Sequence, residues 1–263
     1  MLTLLKLGGS LITDKDTPRT PHLEVIHRLA EEIAQFVNAN PSSQLIIGHG
    51  AGSFAHVPAS KYKTRHGVRS QQEWAGFFEV WQEARALNHI ILDALHQAGL
   101  PAISFPPSAS ITTRDGKVTA WDLAPLQAAL SHQLIPVVYG DVIFDESLGG
   151  TILSTEELFT HLAVQLNPRR ILLAGLNSVC SDFPLCKHTI KFITDANFKD
   201  YLPILGGSAS TDVTGGMIQK VTDMLKLTHQ VPGLEIHIFS SSQQGVLLEV
   251  LNGKNIGTII HQV

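Results

Sequence analysis

Short apolar runs alternate with longer amphipathic stretches from one end of the chain to the other. The runs at 2–7, 44–48, 101–105, 134–139, 170–175 and 235–240 are dominated by apolar residues, the pattern of strands buried on both faces. A further pair of short strands is predicted near 246–250 and 256–261. Between the runs, 21–39, 71–98, 155–166 and 215–229 repeat apolar positions at helical spacing. This alternation predicts an α/β fold, a three-layer αβα sandwich with a mainly parallel central sheet. Ligands of such sheets bind beyond the carboxyl ends of the strands. Gly149-Gly150 marks an expected hinge between an N-terminal lobe, about 1–150, and a C-terminal lobe, about 151–263.

The strand ends carry the candidate chemistry. After the run ending at 47 comes Gly48-His49-Gly50-Ala51-Gly52-Ser53-Phe54-Ala55-His56. Its glycines let the backbone turn sharply and approach a ligand, and freed amides at a helix start can cradle an anion. The same glycines also suit an ordinary strand-to-helix turn. The first strand runs into Gly8-Gly9-Ser10 with Lys6 inside it. A lysine in a buried strand is costly unless its ammonium meets an anion, whereas on an edge strand it would reach solvent. A third loop, Thr211-Asp212-Val213-Thr214-Gly215-Gly216, leads into a helix bearing Lys220. Together the three loops suggest one polyphosphate site assembled from distant segments.

Trp74, Phe77, Phe78 and Trp81 form one aromatic stripe on the helix at 71–98. Core packing accounts for such a stripe; part of it could equally line a slot for an apolar chain.

Composition narrows the picture. Hydrophobic residues make up 44% and charged residues 16% of the 263-residue chain, enough for a large core. The net charge of −4 gives no electrostatic case for nucleic-acid or membrane binding, so anion binding must come from a few placed cations and amides. No run is long enough to span a bilayer and no secretion signal is evident. Cys180 and Cys186 are expected as reduced thiols of a cytoplasmic protein. The thirteen histidines are scattered, and no metal site built from protein ligands is expected.

Lys6-Leu7-Gly8-Gly9-Ser10, the glycine loop after the second strand, Tyr139-Gly140-Asp141-Val142, and Asp212 to Met217 with Lys220 resemble, in order, the motifs of the amino acid kinase superfamily. Within it, Gly52-Ser53-Phe54-Ala55-His56, Leu11-Ile12-Thr13-Asp14-Lys15 and Phe105-Pro106-Pro107-Ser108 resemble the isopentenyl phosphate kinases. His56 is the specific part, similar to the histidine with which these kinases and the fosfomycin kinases hold the acceptor's phosphate or phosphonate. The resemblance implies a single amino acid kinase domain over 1–263. It implies ATP with Mg²⁺, isopentenyl phosphate as acceptor, and a homodimer. Lys6, Lys15, Asp141 and Lys220 would be catalytic, with Asp141 orienting the lysines by ion pairing; a turn or helix-cap aspartate is the other reading of that residue. Gly50, Ala51, His56 and Thr155 would bind the acceptor. Lys6, Gly8, Gly9, Ser10, Gly52, Asn177, Gly216 and Lys220 would bind ATP.

Three segments depart from the family. Ala51 replaces the middle glycine of three. Ser154-Thr155-Glu156-Glu157 stands where Ser-Gly-Asp-Asp is usual, and Ala174 to Val179 lacks the acidic residues of the usual nucleotide loop. The expected reaction is phosphorylation of isopentenyl phosphate to isopentenyl diphosphate. The alternatives are another small phosphate or phosphonate, such as fosfomycin, or a non-catalytic nucleotide-binding protein of the same fold.

Overall fold

The computed structural model describes residues 1–183, 185–206 and 216–262. In chain order the strands are β1 (Leu2–Leu7), β2 (Gln44–His49), β3 (Ala102–Ser104), β4 (Ile111–Arg114), β5 (Lys117–Trp121) and β6 (Ile135–Tyr139). They continue with β7 (Asp141–Asp145), β8 (Gly149–Leu153), β9 (Arg170–Gly175), β10 (Phe192–Ile193), β11 (Glu235–Ser240) and β12 (Thr258–Ile260). The helices are α1 (Gly9–Ile12), α2 (Leu23–Ala39), α3 (Gly52–Tyr62), α4 (Gln71–Gln97) and α5 (Pro107–Ser110). After them come α6 (Ala124–Ser131), α7 (Thr155–Leu166), α8 (Phe198–Gly206), α9 (Gly216–Gln230) and α10 (Val246–Leu251).

The central sheet has the order β10-β12-β11-β9-β1-β2-β6-β3, and only the β11–β12 pairing is antiparallel. Successive residues of its inner strands face opposite layers. Leu4, Ile46, Val138 and Ile171 pack under α7 and α9, while Leu5, Ile47, Val137 and Leu172 pack under α2, α4 and α10. Both faces are therefore covered, which is why these strands read as continuous apolar runs. No helix among the described residues is long and apolar enough to cross a membrane.

Four features differ from expectation. The segment at 246–250 is the helix α10, not a strand. Leu247, Val250 and Leu251 are buried at helical spacing, and the Glu32 carboxylate accepts from the Gly245 and Leu248 amides at its start. A second sheet, β5-β4-β7-β8, occupies 111–153. Asp145 fastens its turns, accepting from the Gly116 and Leu148 amides and the Thr113 hydroxyl. Gly149 and Gly150 open β8 instead of forming a linker, and a Cβ on Gly150 would press on the Phe77 ring at 2.8 Å. Finally, Cys180 and Cys186 are not free thiols. An antiparallel bridge between Cys180 and Thr189 folds the chain back, and the two cysteines are joined in a disulfide.

Candidate active site

β1 and β2 run parallel and end side by side, with Leu7 opposite His49. The loops that leave them pack backbone against backbone. A Cβ on Gly9 would lie 2.6 Å from the Gly52 nitrogen, and one on Gly50 would lie 2.8 Å from the Gly9 nitrogen. Buried Thr13 joins the two loops: its hydroxyl donates to the Gly9 carbonyl at 2.8 Å and accepts from the Ser53 amide at 2.9 Å. Gly52 takes a left-handed backbone, φ 51°, where a side chain would strike the Thr13 hydroxyl. Ala51 sits at φ −75° and ψ −17°, an ordinary right-handed helical conformation. Alanine therefore replaces glycine at that position without backbone strain. His56 follows one turn into α3, on its exposed side.

The cations gather around one carboxylate. Lys6 is nine-tenths buried in β1, between β2 and β9, and its ammonium pairs with the Glu156 carboxylate. Lys220, from the second turn of α9, reaches the same Glu156 oxygen at 3.6 Å. Burial pushes the Glu156 carboxyl up, but Lys6 and Lys220 outweigh it and hold the group well below the usual carboxylate range. Local sequence explains why Glu156 is available. Ser154 caps α7 and Glu157 closes the capping box, accepting from the Ser154 amide at 2.7 Å. Glu157 also takes Arg65 at 2.8 Å. Its neighbour Glu156 then projects from the first helical turn toward the lysines, where the helix dipole also favours a negative charge.

Asp141 does not make the lysine pairing expected of it. Its carboxylate accepts from the Ser108 amide at 3.1 Å and the Val142 amide at 2.9 Å. Burial pushes this carboxyl up to about 6, against the hydrogen bonds from Ser108 and Val142. The pairing falls to Glu156 because α7, not β7, presents a side chain between β1 and α9. Thr155 lines the cavity, but its hydroxyl donates to the His49 carbonyl at 2.6 Å and so fixes the loop after β2. His49 is fully buried, stacked on Tyr139, with one ring nitrogen at Asn88 Oδ1 and the other at the Gly50 carbonyl.

All the candidate residues come together. Lys6, Gly8, Gly9, Ser10, Lys15, Gly50, Ala51, Gly52, His56, Asp141, Thr155, Asn177, Gly216 and Lys220 line a single cavity of about 1570 Å³. The Thr211 to Gly215 part of the third loop lies outside the described residues. Sequence reasoning missed Glu156 and Thr13, which act through contacts between distant segments. For Glu156 a signal was available, since the acidic pair at 156–157 follows a capping serine. Ala55, Ala59, Val80 and Ile152 form an apolar group in the cavity lining, which also carries Ser60, Lys61, Lys63, Arg65 and His66. The aromatic stripe does not line it. Trp74 and Phe77 pack on Phe144 with ring centres 6.0 and 5.2 Å away, and Phe78 stacks on Trp81. Val80 is the residue that α4 lends to the cavity. Among the described residues no group of three His, Cys, Asp or Glu side chains is placed to hold a metal ion.

Comparison with known proteins agrees with this geometry. The model of the amino acid kinase family matches residues 1–240. The isopentenyl phosphate kinase of Methanothermobacter thermautotrophicus is 32% identical, over 97% of this chain and 97% of that protein. The isopentenyl phosphate kinase of Methanocaldococcus jannaschii is 33% identical, over 99% of this chain and 98% of that one. A crystal structure of an isopentenyl phosphate kinase superposes with a TM-score of 0.81 at 29% identity, covering 99% of this chain and all of the other. The chain belongs to the amino acid kinase family and, within it, to the isopentenyl phosphate kinases.

Proposed function

We propose that this protein transfers the γ-phosphoryl group of ATP to isopentenyl phosphate, giving isopentenyl diphosphate and ADP. The observation that carries the reading is the cavity itself. Two lysines gathered on one carboxylate and a glycine loop ending in His56 line the same space, which is large enough for a nucleotide and a small acceptor together. Phosphoryl transfer asks a protein mainly for positioning and charge neutralisation. Lys6 and Lys220, set by Glu156, would neutralise the equatorial oxygens of the transferred group, with Lys15 closing on it from the loop beyond α1. The acceptor phosphate is already anionic at neutral pH and needs no general base. His56, Gly50 and Ala51 would hold that phosphate, and Ala55, Ala59, Val80 and Ile152 would cover the five-carbon tail.

The loops at Gly8-Gly9-Ser10, Gly52, Asn177 and Gly216 would take the ATP phosphates and ribose. The N-terminal half, about 1–150, would then serve the acceptor and the remainder the nucleotide. Mg²⁺ would be held mostly by the phosphate oxygens of ATP and by water, where it would supply further charge neutralisation. A cytoplasmic homodimer completes the reading. Coupled ADP release with isopentenyl phosphate, compared with fosfomycin and with no acceptor, tests it. Turnover confined to isopentenyl phosphate is the expected result. Preference for fosfomycin would transfer the assignment to a phosphonate kinase, and ATP binding without turnover on either would make the chain non-catalytic.

A further inference from the structure

The segment leaving β9 forms part of the cavity wall, and its cysteines sit in that wall. Leu176, Asn177, Cys180, Phe183 and Cys186 all line the cavity that Lys220 enters from α9. The base of this segment is fixed independently of the disulfide. The Val179 amide donates to the Thr258 hydroxyl and the Ile190 amide to the Val179 carbonyl, while the Ser181 amide donates to the His188 carbonyl. Asp182 adds a second tie, accepting from the Lys187 and His188 amides at 3.0 Å each. The disulfide adds a covalent tie to Cys186, whose amide otherwise makes one long hydrogen bond, 3.4 Å, to the Asp182 carbonyl. The Cys186 backbone is left-handed, φ 47°, a conformation uncommon for a residue other than glycine, asparagine or aspartate. Cys180 is buried and Cys186 is half-buried, so Cys186 is the more accessible member of the pair.

We propose that Cys180 and Cys186 are a reversible thiol–disulfide site, exchanged by a low-molecular-weight thiol, that sets the nucleotide side of the cavity. They are the chain's two cysteines, six positions apart and already bonded to each other. In a reducing compartment, a disulfide of this kind is characteristically transient or redox-sensing. The exchange balances as follows. An external thiolate attacks Cys186 Sγ, forming a mixed disulfide and releasing Cys180 as a thiolate. A second external thiolate attacks the external sulfur of that mixed disulfide and releases Cys186. Two external thiols are oxidised to one disulfide, and the two protein thiolates take up the two protons. Reduction removes the covalent tie and leaves Cys186 held only by the long bond to the Asp182 carbonyl, so Phe183 and Cys186 can shift from the wall beside Asn177 while the Asp182 and Val179–Thr258 ties keep the base in place. The bonded form therefore binds nucleotide more tightly. This inference rests on the cavity being the nucleotide site.

The test equilibrates the protein in glutathione buffers of graded ratio. Thiols are counted by alkylation and mass measurement, and the affinity for a non-hydrolysable ATP analogue is read by calorimetry. One disulfide should form as the buffer becomes oxidising. The reduced protein should bind the analogue about 10-fold more weakly, the size expected for re-ordering a single backbone residue on binding. The KM for isopentenyl phosphate should stay the same in both forms. The C180S/C186S variant should show the weaker affinity at every ratio; if it does not fold, the wild-type titration decides alone. Two alkylatable thiols at every ratio, or equal affinities for the analogue in the two forms, would overturn the proposal. Absence of turnover on isopentenyl phosphate in both forms would instead refute the kinase assignment, and the calorimetric comparison would still be readable.

Discussion

Replacing Glu156 by glutamine tests the centre of the site, because it removes the charge on which two lysines converge and keeps the size of the side chain. Lys220 lies 3.6 Å from the Glu156 oxygen, a separation at which one ion pair is worth about 5 kcal/mol gross at an effective dielectric near 20. Lys6 is closer and buried, so its pairing is screened less. Desolvation of the three groups offsets most of this attraction, and removing one member of a largely buried pair typically costs about 3–5 kcal/mol. Glu156 retains 21% exposure and Lys220 31%, which places the expected loss of stability at or just below the lower end of that range, at about 2–3 kcal/mol. The pH dependence fixes the sign. Glu156 has a depressed pKa in the folded protein, so its contribution is fully present above its unfolded value of 4.5 and is lost as pH falls through the folded value. Urea unfolding of wild type and Glu156→Gln should therefore differ most at neutral pH and converge in acid. The lysines, no longer drawn to a common point, should lower kcat by about 100-fold, the scale of a mispositioned transition-state contact. Glu156→Asp keeps the charge on a shorter stem and should lose less. A stability gap that persists unchanged in acid, or a Glu156→Gln kcat within about threefold of wild type, would show that the carboxylate neither pairs with the lysines as described nor sets them for transfer.

Three further outcomes follow from the same contacts. His56→Ala should raise the acceptor KM by about 10- to 100-fold with little change in kcat, as for loss of one charge-assisted hydrogen bond, and His56→Gln should be milder; steady-state kinetics with unchanged acceptor KM in both variants would remove the anchor role. Gly52→Ala should cost at least about 2 kcal/mol in denaturant unfolding, since φ 51° and the Thr13 hydroxyl leave no room for a Cβ, whereas Ala51→Gly should change stability by less than about 1 kcal/mol. Among the described residues buried His237 has no hydrogen-bond partner on either ring nitrogen, and the Glu235 carboxylate lies 3.9 Å from its Nε2. Burial depresses its pKa, so wild type should lose stability as pH falls below 6.5; His237→Leu should be more stable by about 1–2 kcal/mol at neutral pH and escape that acid loss, as read by thermal melts across pH.

The parts of the fold that could be read from sequence are those whose burial is symmetric. β1, β9 and β11 lie inside the sheet with a helical layer on each side, so aliphatic residues such as Leu4, Leu5, Ile171, Leu172, Ile236 and Ile238 dominate them and each run announces its own limits. The second sheet gives no such signal. β5 is exposed or half-exposed along its whole length, and β4 and β8 hold glycine, threonine and arginine at positions that an inner strand would fill with aliphatics. What fixes these strands is the Asp145 carboxylate tying two turns across about thirty residues of sequence, a contact with no local period. The segment at 246–250 failed for a related reason. A run this short, apolar but for Glu249, fits either a strand or a helix, and the decision rests on Glu32, far away in α2, which caps the helix.

The site divides along the same line. Glycines and lysines were visible because each is unusual where it stands, a charged residue in an apolar strand or a turn residue at its end. Their meaning was only partly visible. The glycines at 9, 50 and 52 are required first by one another, since the loops after β1 and β2 meet with backbone atoms closer than any Cβ would allow. That contact is what brings Lys6 in β1 and His56 in α3 to the wall of one cavity. A phosphate-cradling loop asks for glycine wherever the backbone must approach the ligand, whereas a loop-to-loop contact asks for it only where the two chains touch. Ala51 separates these demands. It lies between two obligatory glycines, takes a backbone conformation open to any residue, and still lines the cavity. The alanine that looks like a lapse in a glycine motif thus marks which glycines the architecture needs: those at the seam between the loops after β1 and β2, a contact that leaves position 51 open to a side chain.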